Sequence, residues 1–335
     1  MRLQREFTWR DGERTIVFGE EALAAAGATL RDGGWERWDL LTTPRALADA
    51  PLDFATGAAA VHEVQPGPVD ELAAGLIDHV RRDQLVGLGG GRVIDVAKAI
   101  AAVRRARVAA VPTTLSGAEM TAIHRLPRFR SAPAPVRPAL AVCDPAAMTS
   151  LPEAALRASA MNSLAHGADA LYTPFANPVA TIAALRGARF LAGALDQPRA
   201  DRDRAALALG SILGAYALDS AGFALHHVVC QTLVRTLRLP HAETNAAMLP
   251  RTMEAMQPRA PAAIVALAGA LRSDANSIGA RIEELGGGRR RLGELGADGG
   301  RIDAALDAIL ARDELRMTPD PPERDELRSL IASAW

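Results

Sequence analysis

Apolar and polar positions change rhythm along the chain. Near the start, "FTWRDGERTIVF" (7–18) alternates about Asp11-Gly12. That dipeptide suits a two-residue turn, so strands are expected on both sides of it. A helix is expected near 20–32. "WDLLTT" (38–43) reads as a buried strand and "AAVHEV" (59–64) as another. Residues 68–82 read as a helix opened by Pro68 and Asp70. "QLVGLGGG" (84–91) reads as a strand ending in a glycine turn, "VIDVAKAIAAV" (93–103) as a helix, and "RVAAVPTT" (107–114) as a strand running into a loop. This β-α-β alternation predicts a parallel sheet covered by helices. The proline- and arginine-rich "RLPRFRSAPAPVRP" (125–138) predicts a loop or surface arm, and "ALAVCDP" (139–145) a further strand.

The rhythm changes after Leu151-Pro152. Long Ala/Leu stretches with apolar spacings of three and four predict a helical second half. "LGGGRRRLGEL" (285–295) reads as a link. The expected organisation is therefore an α/β domain over 1–150 and an all-helical domain over 151–335.

Composition narrows the function classes. The 335 residues are 49% hydrophobic and 23% charged, with 38 Lys+Arg against 39 Asp+Glu. That balance argues against nucleic acid as a partner and leaves room for a small anionic substrate held by one or two arginines. Cys143 and Cys230 stand far apart, which excludes a CxxC motif and suits a reducing, cytoplasmic setting. No apolar run is expected to approach the roughly 18–20 residues of a membrane span, and the N-terminus lacks a signal-peptide core.

Two loops suit phosphate. Gly89, Gly90 and Gly91 lie between a strand and a helix, where backbone N–H groups and the helix dipole attract an anion. "VPTTLSGAEM" (111–120) follows the next strand with Thr113, Thr114, Ser116 and Gly117. Loops at the carboxyl ends of neighbouring strands are where open α/β sheets bind nucleotides. In the second half, Asn162 and His166 share a helix face at a spacing of four, with His227 and His241 further on. Three imidazoles plus an aspartate at 162 would suit a divalent metal, but Asn162 lacks the anionic oxygen. His241 follows Pro240 at an expected helix start, where the dipole favours a neutral ring. His226 reads as a packing residue.

These segments together resemble the iron-containing alcohol dehydrogenase superfamily. Gly89-Gly90-Gly91-Arg92 through Asp95 and Lys98 resembles its GGGSxxDxAK, "PTTLSGAEMT" its PTTxxxGSE, and "CDPAAMTSLP" its DPxLxxxLP. "NSLAH" sits where the family has DxxxH, and His227 and His241 keep the family's spacing. Within the superfamily the chain is most similar to the maleylacetate reductases, through Asn162, "GAEMT", "LHHxxC" and "LPHAET". The resemblance implies a dehydroquinate synthase-like architecture of the iron-type alcohol dehydrogenases and a homodimer in which the N-terminal hairpin is a contact. It also implies reduction of maleylacetate to 3-oxoadipate with NADH or NADPH and no metal. The residues it assigns to catalysis are His241, His227, His166, Asn162 and Gln231. Those it assigns to the coenzyme are Gly89, Gly90, Gly91, Arg92, Asp95, Thr113, Thr114, Ser116, Gly117 and Thr43. Thr43 repels no 2′-phosphate and Arg45 could bind one, so NADPH is expected beside NADH.

Some positions depart from the family pattern. Arg92 replaces a serine after the glycines, Gln231 replaces a second histidine, and Leu233-Val234-Arg235 replaces LGG. Arg235 and Arg238 are candidate clamps for a dicarboxylate, but a solvated helix end is the stronger reading. Two other readings stay open: a family member reused for non-redox chemistry or binding, and a metal-dependent alcohol dehydrogenase.

Overall fold

The computed structural model describes residues 5–132 and 134–335. The chain divides into two compact units, Met1–Leu151 and Pro152–Trp335.

The first unit is built on a seven-stranded sheet in the order β1-β2-β7-β6-β5-β3-β4. Strands β1 (Phe7–Asp11) and β2 (Arg14–Phe18) form the expected antiparallel hairpin. The others pair in parallel: β3 (Trp38–Thr42), β4 (Ala58–Glu63), β5 (Gln84–Gly89), β6 (Arg107–Pro112) and β7 (Leu140–Cys143), with β2 alongside β7. Successive side chains serve opposite faces. Leu40, Val86, Ala109 and Val142 join one core with Trp35, Trp38 and Phe54. Leu41, Leu85 and Val108 join another with Val96 and Ile100. Burial on both sides suits β3, β5, β6 and β7, whose residues are almost all buried; β4, also expected to be buried, lies at the edge of the sheet and is half-exposed along its length.

The helices of this unit are α1 (Ala26–Asp32), α2 (Pro44–Ala48), α3 (Leu52–Gly57), α4 (Val69–Leu76), α5 (Gly91–Arg104) and α6 (Pro145–Met148). The helix expected over 20–32 begins only at Ala26, and that over 68–82 stops at Leu76. Helices α2 and α3 were not legible in the pattern: each is shorter than the two turns that periodicity needs. The described part of the 125–138 arm is irregular, and Arg128 ties it to Asp70 and Glu71 in the first turn of α4.

The second unit is helical: α7 (Glu153–Ala170), α8 (Pro178–Leu195), α9 (Arg204–Ala221), α10 (Leu225–Leu237), α11 (His241–Met256), α12 (Pro261–Ala270), α13 (Ile278–Leu285), α14 (Ile302–Leu310) and α15 (Arg324–Ser333). At its centre α7, α8 and α9 pack on one another. Glycines permit the approach: a Cβ on Gly214 would lie 2.7 Å from the Ser163 carbonyl oxygen, and one on Gly187 2.9 Å from that of Gly210. One expectation needs correction. Helix α8, 18 residues long, is apolar enough in length and composition to cross a membrane. Arg186 and Arg189 interrupt its apolar sequence, and half of it is buried within this unit.

The α7–α9 contact predicts a packing penalty. Gly214→Ala should lower stability by about 1–3 kcal/mol, because backbone rather than a flexible side chain opposes the new methyl. Urea denaturation checks this as a lowered midpoint; an unchanged midpoint would contradict it.

Candidate active site

In the first unit the candidate loops leave adjacent parallel strands. The Thr113 amide donates to the Gly89 carbonyl at 2.9 Å, which keeps the two loops side by side. The glycines are required there. A Cβ on Gly89 (φ +154°) would lie 2.8 Å from Val93 Cγ2, one on Gly90 3.1 Å from Thr114 Cγ2, and one on Gly91 2.8 Å from Ser116 Cβ. Close packing of the loops thus accounts for part of the glycine run. An anion seat also remains, because Gly90 leaves the N-terminus of α5 without a side-chain cap. The Thr114 hydroxyl beside it is buried with no hydrogen-bond partner. Arg92, exposed in the first turn of α5, has no ion-pair partner among the described residues. A cation there opposes the helix dipole unless an anion accompanies it. These residues fit a pyrophosphate.

Several candidate side chains have structural duties. Asp95 pairs with Lys98 at 2.9 Å. The fully buried Lys98 ammonium also donates to the carbonyls of Ala118 and Ile123, tying α5 to the second loop. Ser116 Oγ accepts weakly from the Ala118 amide at 3.5 Å, and Gly117 adopts φ +70° in that turn. Thr43 caps α2 by accepting from the Ala46 amide, and Arg45 donates to Ser150 at 2.9 Å. Arg45 is therefore engaged rather than free for a 2′-phosphate. Glu119, which sequence reasoning passed over, is buried with neither carboxyl oxygen partnered, and burial pushes it up to about 7.

In the second unit the structure brings the imidazoles together. His166 on α7 stacks on His227 of α10, with ring centroids 5.1 Å apart. His226 meets the His227 ring edge-on at 5.2 Å. His241 opens α11 and is exposed. It is near enough that its charge helps depress His166. Asn162 lies in mid-helix, so capping does not explain it; its side-chain amide reaches His166 Nε2 at 3.4 Å.

The least expected residue is Asp169, one turn beyond His166 on α7. Its buried carboxylate accepts from five donors: the amides of Ala224, His226 and His227, His227 Nδ1 at 2.8 Å, and the Tyr172 hydroxyl. Ala224, the N-cap residue of α10, cannot cap it, so Asp169 caps that helix from α7. Burial raises its pKa, but the His227 hydrogen bond and charge, His226 and Tyr172 outweigh burial and hold it well below the usual carboxylate range. The only sequence signal was the spacing of three from His166.

The histidines differ in what they have left to offer. His226 is saturated: Nε2 meets Asn245 Oδ1 and Nδ1 meets Thr252 Oγ1, both at 2.8 Å. Burial and the charge of His227 lower it to about 3, so it stays neutral. His166 is driven well below its ordinary value by burial, then by the charges of His227, His241 and His226. Around the imidazoles, three buried atoms have no partner among the described residues: Asn162 Oδ1, His166 Nδ1 and His227 Nε2. Gln231 accepts from Arg312 at 3.0 Å. Arg312 lies over the Phe223 ring, whose other neighbour is His227, and pairs with Glu314. Arg235 and Arg238 are exposed.

This donor set does not fit a divalent cation. An uncharged amide replaces a carboxylate, and it is turned onto the His166 nitrogen that would ligate. Among the described residues no group of three or more His, Cys, Asp or Glu is placed to hold a metal.

A parallel sheet with phosphate-type loops and a helical unit with clustered imidazoles define the class. The chain belongs to the iron-containing alcohol dehydrogenase family: residues 13–145 match the model for iron-containing alcohol dehydrogenase, and 157–335 that for the Fe-containing alcohol dehydrogenase family, C-terminal. Its relatives include maleylacetate reductases, so it falls within a family of oxidoreductases. It is 30% identical to the maleylacetate reductase of Rhizobium sp. strain MTP-10005, over 98% of this chain and 97% of that one. With maleylacetate reductase 1 of Rhodococcus opacus it shares 34% identity, covering 83% and 79%. The crystal structure of the Rhizobium enzyme superposes with a TM-score of 0.84 at 29% identity, covering 99% of each chain. That of maleylacetate reductase from Agrobacterium tumefaciens gives 0.83 at 29%, again over 99% of each. The fold also matches 1,3-propanediol oxidoreductase, with a TM-score of 0.84 at 21% identity over the whole of both chains.

The orphaned Thr114 hydroxyl gives a test with two readouts. Thr114→Val should leave the stability of the free protein unchanged or slightly higher, because no hydrogen bond is lost. It should also weaken the thermal stabilisation produced by NADH. Destabilisation of the free protein with NADH stabilisation intact would contradict this placement.

Proposed function

We propose that this protein is a metal-independent, NAD(P)H-dependent reductase of maleylacetate or a related enoyl or keto acid. The observation that carries the reading is the unpartnered Nε2 of His227, buried beside His166 on a ring anchored by Asp169, with Asn162 where a metal site would need an anion. The likeness to maleylacetate reductases supports the substrate class.

When bound, the reduced coenzyme supplies a hydride. The uncapped N-terminus of α5, the Thr113–Gly117 loop and the unpaired Arg92 hold its pyrophosphate. A double bond conjugated with a carbonyl accepts hydride without a Lewis acid, because the charge delocalises onto oxygen. Two tasks remain for the protein: stabilising that oxygen and delivering a proton to carbon. His166 stays neutral, and because Asn162 donates to Nε2, it offers an N–H at Nδ1 to the oxygen. His227 delivers the proton through Nε2. His241 and Arg312 provide polar and cationic contacts for substrate carboxylates, Arg312 being steadied by Gln231 and Phe223.

The test is oxidation of NADH and NADPH by maleylacetate, with product identified as 3-oxoadipate. Turnover with either coenzyme is expected, and His227→Ala should lower kcat by about two to four orders of magnitude. Binding of neither coenzyme by calorimetry would overturn the reading and favour a non-redox use of the fold.

A further inference from the structure

We propose that Asp169 is a positioning residue: it fixes the tautomer of His227 and so makes Nε2 the only atom through which that ring exchanges a proton. The inference rests on the reductase reading above for its catalytic consequence, but its structural part stands alone.

Three backbone amides, which can only donate, point at the two Asp169 oxygens and favour the ionised form, and an ionised carboxylate only accepts hydrogen bonds. At 2.8 Å, His227 Nδ1 must therefore carry a hydrogen. The neutral ring then has its lone pair at Nε2, which is buried and unpartnered. A second proton can enter only there, and the resulting imidazolium is countered by the carboxylate already on its other side. Asp169 also accepts the backbone amide of His227, so ring and backbone are fixed by the same group.

His166 is set the opposite way. The Asn162 amide donates to its Nε2, leaving an N–H at Nδ1, and although the charge of Asp169 reaches that ring, burial and the charges of His227, His241 and His226 outweigh it and disfavour a second proton. The stacked rings thus have separate duties. His166 donates a hydrogen bond and keeps its proton, whereas His227 transfers one. His226 is excluded because both its nitrogens are occupied.

The step balances. When bound, NAD(P)H would supply the hydride to the substrate C=C and become NAD(P)+, and the π electrons of that double bond would move onto the conjugated carbonyl oxygen. The Nε2–H bond of the His227 imidazolium then breaks as a C–H bond forms at the enolate carbon. The ring returns to the neutral Nδ1–H form, still bonded to Asp169, and regains a proton at Nε2 from solvent.

The test uses the full chain labelled with 15N-histidine. Long-range 1H–15N spectra of the neutral rings, collected at alkaline pH, distinguish the tautomers, and loss of signals in His227→Gln assigns this residue. The wild type should show His227 as Nδ1–H, and so should Tyr172→Phe, which keeps the carboxylate. Asp169→Asn should shift it toward Nε2–H and lower kcat for maleylacetate by about a hundredfold or more, with a much smaller change in KM. An Nε2–H tautomer in the wild type overturns the proposal, as does a folded Asp169→Asn with kcat within about threefold of wild type. If Asp169→Asn does not fold, the wild-type and Tyr172→Phe spectra decide. An Nδ1–H signal in a protein that turns over no maleylacetate supports the tautomer assignment and overturns the reductase reading instead.

Discussion

The buried carboxylate of Asp169 is the constraint on which the helical unit depends. Removing a carboxylate from water costs several kcal/mol unless strong donors replace the solvent. Five do so here, three of them backbone amides around the start of α10. The group therefore does two things at once. It caps a helix whose own N-cap residue, Ala224, has no acceptor side chain, and it holds the His227 ring in one orientation. Helix α7 contributes Asp169 and His166 from adjacent turns, so the anchor and the second imidazole come from one rigid element.

The neighbouring histidines show how identical side chains diverge by environment. His226 is saturated by Asn245 and Thr252 and serves the packing of α10 on α11. His166 is neutral, with one nitrogen spoken for. His227 alone combines an anionic neighbour with an open nitrogen. The loops after β5 and β6 follow a related logic. Lys98 fastens the second loop from beneath, while the N-terminus of α5 and the Thr114 hydroxyl are left unsatisfied. In both units the groups available for chemistry are those the fold leaves without partners.

Much of this was legible in the chain. The hairpin at Asp11-Gly12, the doubly buried strands and the glycine turn all follow from side-chain periodicity and turn chemistry. Short helices such as α2 and α3 escaped because fewer than two turns leave no period to detect. Asn162, His166, His227 and His241 were recognisable by type and spacing, but their differences were not, since tautomer and charge depend on contacts up to 58 residues apart, as between Asp169 and His227. Asp169 was missed because an acidic residue in an Ala-rich helix carries no local sign that it will be buried. Gln231 stood out as a replacement for a second histidine; the structure shows it holding Arg312. Arg45 looked available to a 2′-phosphate and is bonded to Ser150.

The family takes its name from iron, yet the donor set of this chain replaces the anionic ligand with an amide and turns that amide onto a histidine nitrogen. The central claim is that a carboxylate-anchored imidazole does the proton chemistry without an ion. Single-turnover oxidation of NADH by maleylacetate tests it most directly. The protein is dialysed against chelator, verified metal-free by elemental analysis, and assayed with and without one equivalent of Fe²⁺ or Zn²⁺. The account predicts the same rate in all samples; a rate that vanishes in the metal-free protein and returns with the ion would contradict it.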